Sequence, residues 1–299
     1  MKILNLPLSR STVDRAAHIR SDALALDAAW NAARIIHFNG SEFFTEGSAL
    51  RFLGADQIIE SGERIFLGEQ GGNHYFVWCS EGNLGPDEDY KTLREISAEL
   101  TGLEIGLAVH GQALAHWHHK HPICSMCGLP TAPALGGSIR RCESGHEHYP
   151  RTDPAIIVLV KDKEDRILLG RQAVWPEHRF STFAGFVEAG ESFEQCVVRE
   201  VFEEAGVNVA DIHYLGSQPW PFPQSLMIAF EATIQDPQKA RPDGEEIVEI
   251  RWFNRNELYA AITEGTLLLP PSISVARAMI QAWYGEDRPA LPGAETWRP

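Results

Sequence analysis

Glu200, Glu203 and Glu204 stand at i, i+3 and i+4 in the stretch GFVEAGESFEQCVVREVFEEAGV, residues 185–207. At about 100° per residue, a helix gathers these three carboxylates within an arc of about 100°. Carboxylates packed so closely repel one another, so either they form a solvated acidic face or a cation sits between them. Hard divalent ions such as Mg²⁺ and Mn²⁺ take all-oxygen ligand sets of this kind. Phe193, Val197, Val201 and Ala205 recur one turn apart and are expected on the opposite, apolar side. Gly185 and Gly190 fall in the loop before the helix, where a backbone can turn tightly and approach a ligand. A second candidate metal centre is Cys124-x2-Cys127 followed, after 14 residues, by Cys142, the front half of a structural zinc pattern. His146 or His148 completes a Cys3His set, and the compact Cys-x3-His spacing favours His146. HWHHKH at 116–121 is another source of a donor, and a metal-free remnant of such a site is the alternative. Cys79 and Cys196 read as small buried apolar residues.

The elements that must position these groups are legible from punctuation and period. The chain has 299 residues, enough for about two domains, and 44% of them are hydrophobic, as in a globular protein. Its 26 Lys+Arg against 41 Asp+Glu give a net charge of −15. That balance opposes an overall electrostatic grip on nucleic acid, although bound divalent cations reverse the sign locally. No stretch approaches the roughly 20 apolar residues of a membrane span, and MKILNLPLSRS is too short for a secretory signal, so a cytoplasmic protein with no membrane partner is expected. Five cysteines are too few for a disulfide scaffold. Residues 1–120 read as a β-rich domain ending in helices. Its strands lie near ARIIHFNG, ALRFLG, ERIFLG and NHYFVWCS, with a hairpin turn at Gly71-Gly72-Asn73. KTLREISAELTG and EIGLAVHGQALAHWHHKH read as helices, the second with Ile105, Val109, Leu114 and Trp117 along one side. Residues 121–149 form a small Cys- and Gly-rich connector. Residues 150–285 form an α/β domain, with helices at 192–205 and 272–284 and strands at 212–218, 226–234 and 248–253. Residues 286–299 read as a loose tail. Three prolines around two aromatics at 217–227 suggest a stiff loop rather than a strand. The fold class is α+β or α/β.

The full spacing says more. Gly185, five residues, Glu191, seven residues, Arg199-Glu200-Val201, one residue, Glu203-Glu204, one residue, Gly206-Val207 matches the Nudix hydrolase box at each defining position. Downstream, SQPWPFPQSLM closely resembles the signature of the family's NADH pyrophosphatase branch, which includes hydrolases of NAD-capped RNA. HPICSMCG, HYPRTDPAIIVLV, LLGRQ, EEIVEIRWF and PPSISVAR follow the order of that branch over about 115–285, while the N-terminal third matches only loosely.

The resemblance implies an α/β/α sandwich that uses Mg²⁺ or Mn²⁺ to hydrolyse the pyrophosphate of NADH or NAD⁺ to nicotinamide mononucleotide and AMP. It also implies removal of an NAD cap from RNA 5′ ends and a homodimer. Carried over residue by residue, Glu200, Glu203, Glu204 and Glu246 supply metal ligands and the catalytic carboxylates, with the Ala184 carbonyl beside them. Glu191 and Arg199 hold loop and helix together. Tyr149 and Phe186 stack on a base of the ligand, although either alone reads more simply as a core residue. Gln218, Pro219, Trp220, Pro221, Phe222, Pro223, Gln224 and Ser225 line the pocket, and Ala276 touches the ligand through its backbone. Cys124, Cys127, Cys142 and His146 hold structural Zn²⁺; the branch usually has a second CxxC, and this sequence lacks the fourth Cys. Two competing readings are a Nudix hydrolase acting mainly on ADP-ribose or a dinucleoside polyphosphate, and a non-catalytic nucleotide sensor.

Overall fold

ERIFLGEQ and NHYFVWC pair antiparallel across Gly71-Gly72, both at positive φ, as the turn residues require. This hairpin opens the sheet of the N-terminal half in the computed structural model, which describes residues 5–58, 61–85 and 88–292. In chain order the elements are helix α1 (Ala23–Asn31), strands β1 (Arg34–Phe38), β2 (Phe43–Glu46), β3 (Ala49–Leu50), β4 (Phe52–Leu53), β5 (Glu63–Gln70), β6 (Asn73–Cys79) and β7 (Tyr90–Lys91), helices α2 (Leu93–Ile96) and α3 (Gly102–Lys120), and strands β8 (Thr131–Ala134), β9 (Ile139–Cys142) and β10 (Glu147–His148). There follow strands β11 (Asp153–Lys161), β12 (Ile167–Gln172) and β13 (Phe183–Phe186), helix α4 (Phe193–Ala205), strands β14 (Val209–Trp220), β15 (Ser225–Ile234) and β16 (Ile247–Phe253), and helices α5 (Arg255–Thr263) and α6 (Val275–Tyr284). Among the described residues, no helix is long and apolar enough to cross a membrane.

The chain divides into two units. The N-terminal unit holds the described residues of 8–152 together with 219–224; the C-terminal unit holds 5–7, 153–218 and 225–292. The connector at 121–149 therefore groups with the N-terminal unit.

In the N-terminal unit the sheet order is β3-β2-β1-β6-β5, with β4 on β1 and β7 on β2. Alternate residues face opposite ways. Ile36, Phe38, Ile65 and Val77 join the core of α3, and Ile35, Phe66, Phe76 and Trp78 join that of α1. Ile105, Val109, Leu114 and Trp117 are all buried, as their spacing predicts. KTLREISAELTG yields only the single turn α2, because a second capping box at Thr101–Glu104 starts a new, 19-residue helix. The Cys-rich strands β8–β10 are tied to this helix by Arg140. Its buried guanidinium donates to the Thr131 hydroxyl and carbonyl, both at 2.7 Å, to Glu63 at 3.2 Å and to His118 Nδ1 at 2.8 Å. His118 then donates its Nε2–H to the Gly137 carbonyl at 2.7 Å.

The C-terminal unit has sheet order β14-β15-β11-β12-β16, with β13 on β11. Strand β11 is buried on both faces. Ile156, Val158 and Val160 meet Val197, Val201 and Ala205 of α4, whereas Ile157 and Leu159 meet Leu258 of α5 and Met279 and Ile280 of α6. Each such aliphatic side chain contributes about 1.5–3 kcal/mol through burial. The result is the expected α/β/α sandwich.

Three details depart from the sequence expectation. Helix α5 has no counterpart among the expected elements. The proline-rich stretch is strand through Pro219 and Trp220, because β14 is an edge strand, where a missing N–H costs no ladder bond. The tail is packed as far as Pro292: Leu291 is buried in the core, and Arg277 donates to the carbonyls of Leu291 and Pro292. Its remainder lies outside the described residues.

Candidate active site and metal centres

Helix α4 starts at the Ser192–Gln195 capping box and stops at Gly206, whose φ of +67° ends it in the left-handed region. Val197, Val201 and Ala205 are buried as expected, but Phe193 is exposed and Glu204 is buried. The acidic set is thus not opposite the apolar stripe. Glu204 lies only about 60° from Val201 around the helix, at the stripe's margin, while Glu203 lies well away from it and stays exposed.

Arg199 organises what surrounds it. It makes two bonds of 2.9 Å to Glu191, and donates to Glu200 at 2.7 Å, Glu203 at 2.9 Å and the Phe186 carbonyl at 2.9 Å. These bonds pin the 185–191 loop to the helix, the role expected of the Arg199–Glu191 pair. The guanidinium holds the Glu191 carboxyl down to about 2, and the Arg199 pKa is raised above its ordinary value by the same bonds.

Glu204 is the exception in this network. It is 4% exposed, and its Oε2 is buried with no hydrogen-bond partner. Burial pushes its pKa up to about 9, with the negative charges of Glu246 and Glu200 adding to the shift and a backbone bond at Ala184 opposing it. Burial also raises the Glu200 pKa. An orphaned carboxylate oxygen beside further carboxylates is a site that a hard cation satisfies, so the residues present fit Mg²⁺ or Mn²⁺. Gly185 explains the first position of the box by volume rather than by turn geometry. A Cβ there would lie 1.9 Å from the Glu200 carboxyl carbon. Cys196 is buried beneath the same strand, as expected, and burial raises its thiol to about 12.

Glu246 precedes β16 and is exposed. Its Oε1 accepts from Gln172 Nε2 at 2.7 Å, and its N–H donates to Asp243 at 3.0 Å. Ala184 lies on β13 opposite Ile157. The two aromatics expected to stack are not core residues: Tyr149 is 65% and Phe186 60% exposed. They belong to different units. Gln218 is fully buried and donates to the Ile273 carbonyl at 2.9 Å, and Ala276 is buried in the first turn of α6. Ser225 begins β15, whereas Pro219, Trp220, Pro221, Phe222, Pro223 and Gln224 group with the N-terminal unit. There Trp220 and Phe222 pack half-buried on its core.

Gln172 and Asp243 were not singled out from sequence. Asp243-Gly244 carries an ordinary turn signal, and Gln172 closes the quoted LLGRQ, but its pairing with a residue 74 positions away has no local signature.

Cys124, Cys127, Cys142 and His146 come together, with their donor atoms all within 4.8 Å of one another. Zn–S bonds of about 2.3 Å and Zn–N bonds of about 2.0–2.1 Å give tetrahedron edges of about 3.8 Å between sulfurs and about 3.6 Å between sulfur and nitrogen. The Cys127–Cys142 sulfurs are 3.7 Å apart, and His146 Nδ1 lies 3.6 Å from the Cys124 sulfur and 3.5 Å from that of Cys142. His148 stands outside this set, its Nε2 at 3.2 Å from the Cys124 sulfur. Burial pushes the Cys124 thiol up, but hydrogen bonds led by the Met126 backbone and His148 outweigh it and bring the thiol down to about 5.

Comparison with known proteins agrees with this geometry. A family model described as the NUDIX domain matches residues 151–270. The NAD-capped RNA hydrolase NudC of Mycobacterium bovis is 42% identical over 299 residues, covering 92% of this chain and 94% of its own. The NAD-capped RNA hydrolase of Schizosaccharomyces pombe is 33% identical over 224 residues, 66% of this chain and 60% of its own. The mitochondrial NAD(P)H pyrophosphatase NUDT13 of Mus musculus is 38% identical over 205 residues, 64% of this chain and 58% of its own.

Proposed function

The chain belongs to the Nudix hydrolase family, in its NAD-capped RNA hydrolase branch, and on that premise we propose that it hydrolyses the pyrophosphate of NADH and NAD⁺. Water adds across the P–O–P bridge, and the products are nicotinamide mononucleotide and AMP. The same cleavage at the 5′ end of an NAD-capped RNA leaves a monophosphate end.

The observation that carries this reading is the buried, partnerless Glu204 Oε2 within a cluster of carboxylates. Glu200, Glu203, Glu204 and Glu246, with the Ala184 carbonyl, would hold Mg²⁺ or Mn²⁺. When bound, the ion neutralises phosphoryl charge and stabilises the leaving phosphate. The protein's own part is positional. Arg199 fixes Glu200 and Glu203 on one helical turn and clamps the end of β13, at Phe186, and the loop after it, at Glu191. Gly185 lets strand β13 pass against Glu200 without displacing it. The exposed rings of Tyr149 and Phe186 offer flat apolar faces for nicotinamide or adenine. Gln218 to Ser225 and the backbone of Ala276 line the pocket, and the working form is a homodimer.

Product analysis by ³¹P NMR after incubating NADH with the protein and Mg²⁺ tests the reaction. Two monophosphate resonances are expected, and an unchanged pyrophosphate signal refutes it. A larger kcat/KM for ADP-ribose than for NADH would assign the enzyme another main substrate. We assign Zn²⁺ to Cys124, Cys127, Cys142 and His146, favoured by the match of donor spacings to a tetrahedron. Elemental analysis should return about one zinc per chain, and none in a Cys142→Ser variant.

A further inference from the structure

Residues 219–224 carry both aromatics of the proline-rich motif. They group with the N-terminal unit, although Gln218 and Ser225 on either side belong to the other. Three of these six residues are prolines and have no N–H to give; Pro219 and Trp220 end β14, and the Phe222 N–H donates to the Trp220 carbonyl at 2.7 Å. Side chains of the N-terminal unit hold the rest. Gln112, buried on α3, donates its Nε2–H to the Pro221 carbonyl at 2.6 Å. One turn along the same helix, His116 Nδ1 stands 3.4 Å from the Pro223 carbonyl. Arg94 of α2 lays its guanidinium over both rings, 3.9 Å from the Phe222 centroid and 5.2 Å from that of Trp220. The rings meet edge to face, 4.9 Å apart at 70°.

None of these three residues belongs to the Nudix box or to the proline-rich motif, and all converge on one short segment. We propose that Gln112 and Arg94 are positioning residues for substrate selection, through which the N-terminal unit fixes the 219–224 loop in the shape that accepts a dinucleotide. The inference rests on the reading above that this loop lines the substrate pocket. A loop held at its carbonyl and at both rings gives up little conformational freedom when ligand docks, which favours binding more than the chemical step. The benefit falls on a substrate with two bases, and less on one with a single base.

Gln112→Met keeps the side-chain length and removes the donor; Arg94→Met removes the cation from the rings. In each, kcat/KM for NADH should fall about tenfold, chiefly through KM, while kcat/KM for ADP-ribose changes by less than about twofold. Arg94→Lys, which keeps a cation over the rings, should restore most of the lost ratio. A purely structural role would lower both substrates by the same factor, and that result, or an unchanged NADH value, overturns the proposal. Hydrogen exchange of the loop's amides in ligand-free protein gives a reading independent of substrate. Faster exchange in both variants supports the grip, and wild-type exchange refutes it. Wild-type turnover of NADH separately tests the pyrophosphatase reading, so failure of one is not mistaken for failure of the other. If Gln112→Met does not fold, Arg94→Met carries the comparison.

Discussion

Arg140 in the N-terminal unit and Glu204 in the C-terminal unit are both buried charged residues, and their surroundings differ in kind. Arg140 meets two oxygens of Thr131, a carboxylate of Glu63 and a ring nitrogen of His118. Glu204 keeps a buried oxygen with no partner and has carboxylates for neighbours. A matched charge locks a structure, and an unmatched one stores a demand for a ligand. Within this pair the difference lies in what each charge still lacks, not in how deeply it is buried.

Four measurements can break or sharpen that contrast. The largest effect is expected from Glu204→Gln. Loss of a carboxylate that holds the cation should lower kcat/KM for NADH on the order of 10³-fold, beyond the 10–100-fold typical of an outer-shell partner. The melting temperature of the metal-free variant should equal or exceed that of the wild type, because a buried, poorly solvated carboxyl has gone. Near-normal turnover would end the metal assignment. Arg140→Met should do the reverse. It leaves Glu63 and His118 without their partner, so urea unfolding should show a loss of about 3–5 kcal/mol, with kcat of the folded enzyme unchanged. A large fall in kcat would place Arg140 with the catalytic groups instead.

A smaller change is expected at the exposed aromatics. Tyr149→Ala should raise KM for NADH about tenfold, the value of one lost base-stacking partner, with no shift in melting temperature. An unchanged KM would return Tyr149 to the ordinary surface. The smallest effect concerns the Arg199 clamp. Glu191 has its carboxyl lowered from 4.5 to about 2 by Arg199. A carboxyl lowered on folding stabilises above its unfolded pKa, and that contribution is lost as pH falls through the folded value. Melting temperature should therefore decline between about pH 4.5 and pH 2, less steeply in Glu191→Gln. Identical slopes would mean that the clamp contributes nothing on the acid side.

Sequence was most informative where structure is local. The spacing from Gly185 to Val207 lies within one loop and one helix, and strand β11 announces itself as a continuous apolar run. Helix α5 was missed although Asn254 and Glu257 form a capping box, a signal as local as that of Ser192, which lay beside a more conspicuous motif. The burial of Glu204 follows from its helical angle to Val201, about 60°, which sets it apart from Glu203 although the three glutamates share one arc. Other features had no local signature. The two-residue strand β7 depends on β2, more than 40 residues earlier in the chain. The placement of Trp220 and Phe222 depends on Arg94 and Gln112, more than 100 residues earlier. His146 completing the cysteine set was suggested by spacing, but only the folded β9–β10 hairpin brings its Nδ1 rather than His148 into the group.

The path of the backbone passes between the two units at residues 7–8, 152–153, 218–219 and 224–225. A gene fragment beginning near residue 150 would carry residues 219–224 without the unit they group with. It would release Trp220 and Phe222 from the surface on which they rest and present two aromatic side chains to solvent, an invitation to aggregate. A single cut near residue 150 therefore does not divide the chain along its two units, because 5–7 and 219–224 each lie on the far side of it.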